Sequence, residues 1–136
     1  MEKRDLVLRL IQQTAQLLRA VFNSLPPDDF QSEHQIQDFV SGLKEDINLD
    51  IENFILLENT KALDILLQID GFNLDNIENL ADVLEVMATK CRKSLYPKSV
   101  LLNQKTLFLL QYVSQTSAAF DWERENKIKN LQKRLS

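Results

Sequence analysis

Residues 100–120 read VLLNQKTLFLLQYVSQTSAAF, and the distribution of apolar side chains in this stretch decides the fold. Val100, Leu101, Leu102, Leu107, Phe108, Leu109, Leu110, Tyr112 and Val113 leave only a thin polar strip of Asn103, Gln104, Lys105, Gln111, Ser114 and Gln115. A helix that is apolar around most of its circumference needs cover on two or more sides. The stretch is therefore expected to be the central beam of a helical bundle, with Leu107, Phe108 and Leu110 buried against Leu80, Leu84 and Ile128. On that reading Phe108→Ala costs about 3–5 kcal/mol.

Working outward, Arg4 to Leu25 reads as a helix because Val7, Leu10, Ile11, Leu17, Leu18, Val21 and Leu25 recur at three-and-four spacing. Pro26 and Pro27 stop it, since neither donates a backbone bond and both push the chain out of helical geometry. Ser32 is expected to cap the next helix, with Gln35 reaching back and Ile36, Phe39, Val40, Leu43 and Ile47 turned inward. Asp50 starts a short segment through Leu57. Asn59 caps another that carries Ala62, Leu63, Leu66, Leu67 and Ile69 and is closed by Gly71.

From about Leu74 to Leu95, one face holds Ile77, Leu80, Ala81, Leu84, Met87, Ala88 and Cys91. Asp75 and Glu78 sit in its first turn and Lys90, Arg92 and Lys93 near its end, as the helix dipole favours. Pro97 separates it from the beam. The last helix begins at Asp121 and turns Ile128, Leu131 and Leu135 inward, with Trp122 expected to pack on the preceding helix.

A chain of 136 residues with only two glycines and three prolines suits one helical domain over 1–136 and lacks the turns a many-stranded sheet would need. Short connections between long helices make neighbours antiparallel. The expected class is all-α: five to seven helices in stacked antiparallel hairpins, either a bundle or a degenerate tetratricopeptide-like repeat. The tetratricopeptide consensus residues do not occur at their fixed offsets, which is why any repeat must be degenerate.

The net charge of -4 hides a division along the chain. Residues 28–85 hold fifteen acidic groups against two basic, residues 86–136 ten basic against three acidic, and no acidic residue lies between Glu85 and Asp121. Either the acidic middle folds against the basic end or the charges simply solvate outward faces, or the two poles meet a partner or a second copy, where complementary potentials orient association. Lys90, Arg92, Lys93, Lys98 and Lys105 form the candidate partner-binding basic face. A nucleic-acid face is disfavoured because the acidic remainder repels phosphates.

Catalytic and metal signatures are not found. Asp46, Asn48 and Asp50 resemble the opening of a calcium loop, but Ile51 and Leu57 stand where its turn glycine and bidentate glutamate belong. His34, the one histidine, lacks partners at zinc-ligand spacing, and Cys91, the one cysteine, sits among apolar neighbours that stabilise no thiolate. Asp28 and Asp29 after the two prolines read as turn chemistry. No apolar run exceeds four residues, against about 20 needed to cross a bilayer, and the first helix is too rich in glutamine for a membrane-surface helix. No cofactor, metal, nucleic acid or membrane is expected, and a cytoplasmic location is.

The run Thr116, Ser117, Phe120, Asp121, Glu123, Arg124, Glu125, Lys127, Ile128 resembles the ending of a group of small, uncharacterised helical proteins of Bacteroidetes-type bacteria. The spacing of the preceding helices resembles that of short bacterial proteins with tetratricopeptide-like hairpins. The resemblance implies a fold and assigns no catalytic residue. The expected function is a non-enzymatic protein–protein interaction or scaffold domain that binds a protein or peptide. A homodimeric structural or regulatory protein is the alternative, with a small enzyme or nucleic-acid binder behind both.

Overall fold

Four helices start where a side-chain oxygen accepts the backbone N–H three residues on: Ser32 from Gln35 (3.1 Å), Asp50 from Asn53 (3.3 Å), Asn73 from Asn76 (3.0 Å) and Asp121 from Arg124 (3.0 Å). Each bond satisfies one of the amides that a helix start leaves free. The computed structural model describes residues 2–92 and 95–136. Among the described residues the chain is all-helical, with α1 (Lys3–Asn23), α2 (Glu33–Ile47), α3 (Ile51–Phe54), α4 (Asn59–Gln68), α5 (Leu74–Lys90), α6 (Ser99–Thr116) and α7 (Trp122–Leu135).

Two expected caps differ in detail. Gln35 does reach back, but its side-chain oxygen accepts from the N–H of Gln31 (2.7 Å). Asn59 does not cap: Glu58 is the cap position, without a side-chain bond, and Asn59 Oδ1 instead accepts from Lys105 Nζ at 2.8 Å.

The long helices α5, α6 and α7 alternate in direction: Glu78 and Asp82 of α5 pair in the same order with Arg124 and Lys127 of α7, so those two run parallel, and two cross-links set α6 antiparallel to α7. Arg124 at the start of α7 reaches Ser114 near the end of α6, and Arg134 at the end of α7 reaches Asn103 near the start of α6. The helix α1 lies on the other side of α5 and α2 packs on α1, with α3 against α2. The hub is therefore α5, which contacts both α1 and α6 and is tied to α7 by ion pairs. Its buried residues form two adjoining stripes, Ile77, Ala81, Leu84 and Ala88 on one and Asn76, Leu80, Val83 and Met87 on the other, which is what lets it take neighbours on more than one side.

The expected beam, α6, is covered by α5 and α7, which together meet one broad face of it. Its fully buried apolar residues are Leu102, Leu109, Leu110 and Val113, with Thr106 and Lys105 also buried. Leu107 and Phe108 are only partly buried, packed against the edge of the core that contains Leu80, Leu84, Leu110 and Ile128. The expectation of full burial for those two fails because α6 meets its partners along one broad face, not around its girth.

Gly71 shows why a sequence position can be fixed by something distant. Its φ of 96° lies in the left-handed region, and a Cβ there would overlap Thr14 Oγ1 and stand 2.8 Å from the Leu10 carbonyl oxygen. So Gly71 follows the end of α4 by three residues and serves the seating of α1 against the α4–α5 connection. Asn76 completes the seat: its Nδ2 donates to the Ile11 carbonyl (2.9 Å) and the Gly71 carbonyl (2.7 Å).

Candidate functional site

The acidic and basic segments meet inside one chain. Three ion pairs join the acidic middle to the basic end: Lys98 with Glu52 (3.0 Å), Arg124 with Glu78 (3.2 Å) and Lys127 with Asp82 (2.9 Å). Of the expected basic face, only Lys98 takes part in these pairs. Lys90 and Arg92 line a shallow surface cleft that also holds Asp28 and Asp29, and Lys90 Nζ donates to the Pro27 carbonyl at 3.1 Å. Lys98 lies in a smaller cleft with Glu33, Glu52 and Tyr96. Lys105 is 6% exposed, and burial lowers the pKa of its ammonium. Lys93 lies outside the described residues. Each described member thus has a carboxylate, carbonyl or amide oxygen beside it, or, for Arg92, two carboxylates in the same cleft.

The other chemistry-bearing residues are dispersed. His34 is exposed and stands 3.5 Å from Asp38 on its own helix, while the buried Cys91 has Asp29 as its charged neighbour. Cys91 is at the C-terminal boundary of α5, not in its middle. Burial, and then Asp29, push its thiol up to about 11, so it stays protonated at neutral pH. Tyr96 is raised to about 12 by burial, then by Glu52 and Cys91, and its hydroxyl has no hydrogen-bond partner among the described residues. Asn48 takes a left-handed conformation to close α2 and Asp50 caps α3, which accounts for the resemblance to a calcium loop. Among the described residues no three His, Cys, Asp or Glu side chains converge as a metal site would require.

Among the described residues, the most exposed large apolar side chains meet at the corner between α6 and α7. Phe120 is 66% and Trp122 73% exposed, and their rings form a T-shaped pair with centroids 5.0 Å apart and planes at 86°. Trp122 therefore does not pack on the preceding helix. The reason is visible around the cap: with Asp121 as cap, the staple partner for Phe120 would be Glu125, and the next-turn neighbours of Trp122 are Glu125 and Asn126. Neither aromatic has an apolar mate one turn on, so they pack on each other. That pattern was a usable signal for a surface aromatic pair.

Next to the rings in sequence, the corner is tied by side-chain hydrogen bonds. Arg124 is buried and its guanidinium donates three ways: Nε to Ser114 Oγ (2.8 Å), Nη1 to Glu78 Oε1 (3.2 Å) and Nη2 to the Ala119 carbonyl (2.9 Å). Ser114 Oγ donates in turn to Glu125 Oε1 at 2.7 Å. The clasp thus joins α5, α6, the connecting loop and α7. Burial raises the Glu78 carboxyl above its ordinary value, and Asp121 and Asp82 add to the rise, while the charge and hydrogen bond of Arg124 oppose it.

No helix among the described residues is long and apolar enough to cross a membrane. Compared with family models, with curated proteins and with solved structures, the chain matches none.

Proposed function

We propose that this domain is a non-enzymatic protein–protein interaction module that docks through the corner formed by Phe120 and Trp122. The observation that carries the reading is the exposure of two large aromatic rings, 66% and 73%, on a corner whose backbone is fixed by the Arg124 clasp. Aromatic side chains give the largest contact area for the least conformational entropy, and they dominate the energetic centres of protein interfaces. A rigid base means that little ordering cost remains when a partner covers them.

The test compares wild type with Phe120→Ser/Trp122→Ser as bait in a lysate of the source cells, with the unfolding midpoint of each recorded. Wild type should recover a protein that the double variant loses while both unfold alike. Equal recovery by the two contradicts the assignment of the corner. A second reading, a homodimer, is favoured by the first turns of α1, where Leu6, Val7 and Leu8 are 46%, 45% and 50% exposed. Sedimentation at micromolar concentration separates the two, since a strict monomer removes the dimer.

A further inference from the structure

The rings at the corner stand in a strongly one-signed surrounding. Asp121 and Glu123 are exposed on either side of Trp122 in sequence, and Glu125 follows one turn on. The cations nearby are already engaged, Arg124 by Glu78 and Lys127 by Asp82. Over residues 120–126 three carboxylates, Asp121, Glu123 and Glu125, stand against the single cation Arg124, which Glu78 already pairs, while Lys127, paired with Asp82, also feels Glu123. The carboxylate of Asp121 uses one oxygen as helix cap, accepting from the Arg124 N–H at 3.0 Å, and keeps the other.

We infer that the occupant of this corner is a basic polypeptide segment, one of whose Arg or Lys side chains lies over the Trp122 ring while Asp121 and Glu123 receive its hydrogen bonds. The inference rests on the docking reading above and adds the chemistry of the partner. An indole face attracts a cation through its quadrupole, and a carboxylate beside it adds Coulomb energy and direction. A guanidinium serves both at once, with its plane on the ring and its edge toward the carboxylates. An acidic partner, a nucleic acid or an anionic membrane meets repulsion at the same place. A purely apolar partner would have to desolvate Asp121 and Glu123 without compensation.

Trp122 is the single tryptophan of the chain, so the proposed contact carries its own reporter. The test titrates the protein with a Ser/Pro peptide bearing several arginines, with the same peptide carrying glutamine at those positions, and with the glutamate version. Only the arginine peptide should change Trp122 emission saturably, and more weakly at high salt. In Asp121→Asn/Glu123→Gln, where asparagine still caps α7, that affinity should fall about three- to tenfold. An equal response to the glutamine peptide, any response to the glutamate peptide or to anionic vesicles, or a response to protein concentration alone overturns the basic partner and leaves the corner a docking surface of another kind. No response to any of them overturns the inference. If Phe120→Ser/Trp122→Ser also recovers everything wild type does, the docking reading falls with it.

Discussion

The two glycines of the chain do opposite work, and the difference is decided by what surrounds one missing methyl group. At Gly71 an added Cβ meets Thr14 and the Leu10 carbonyl at a φ that disfavours L side chains; at Gly42, within α2, nothing lies within 4 Å. Gly71→Ala should therefore destabilise by about 2–4 kcal/mol, combining strain and overlap, while Gly42→Ala should stabilise by about 0.5–1 kcal/mol. Urea unfolding of the two variants checks both signs. Cys91 supplies a pH effect at the same scale. Its thiol is raised from 9.0 to about 11 in the fold, so the unfolded chain loses its proton first and stability falls as pH rises from about 9 to 11. The loss is about 1.4 kcal/mol per unit of pH from this group. Tyr96, raised from 10.0 to about 12, adds to it at higher pH, and Lys105, lowered by burial, opposes it. The informative quantity is thus the difference between wild type and Cys91→Ala, which should lose the Cys91 part of the slope.

Among elements, the join of α5, α6 and α7 depends on one buried cation. Removing it leaves Glu78 half-buried without its partner, so Arg124→Leu should cost about 3 kcal/mol, and Arg124→Leu/Glu78→Leu should regain much of that, because two apolar groups leave no unpaired charge. A thermal-melt double-mutant cycle reads the coupling directly. In α6 the fully buried Leu109 and the partly buried Phe108 give a second contrast. Leu109→Ala should cost about 3–4 kcal/mol and Phe108→Ala about 1–2 kcal/mol, despite the larger ring. The helices themselves were legible because Ser32, Asp50 and Asp121 announce their starts and apolar spacing announces their faces. The angular position of the buried face of α6 was not, since apolar residues surround nearly the whole helix and only the neighbours choose among them. Lys105 was hidden for the same reason: its place among polar residues says nothing of the start of α4 packing over it.

For the whole molecule, the acidic middle and the basic end meet within the chain through three pairs that cross between them, and the other charges face outward or stand beside polar groups. The basic face read from sequence was a count of lysines and arginines along the chain, and the count could not show which of them fold onto carboxylates or oxygens. Packing of Trp122 on the preceding helix, as expected from its place in the first turn of α7, would have hidden the aromatic corner, but the polar residues one turn away from it argue otherwise. Among the described residues the two most exposed large apolar side chains are the rings of Phe120 and Trp122, with carboxylates beside them in sequence on a braced corner. Acrylamide quenching of Trp122, in the isolated chain and with its partner bound, tests this most directly. The account predicts emission like that of indole in water and free access for the quencher in the isolated chain, with shielding on binding. A shielded, blue-shifted Trp122 in the isolated monomer, or one equally accessible in the complex, would contradict it.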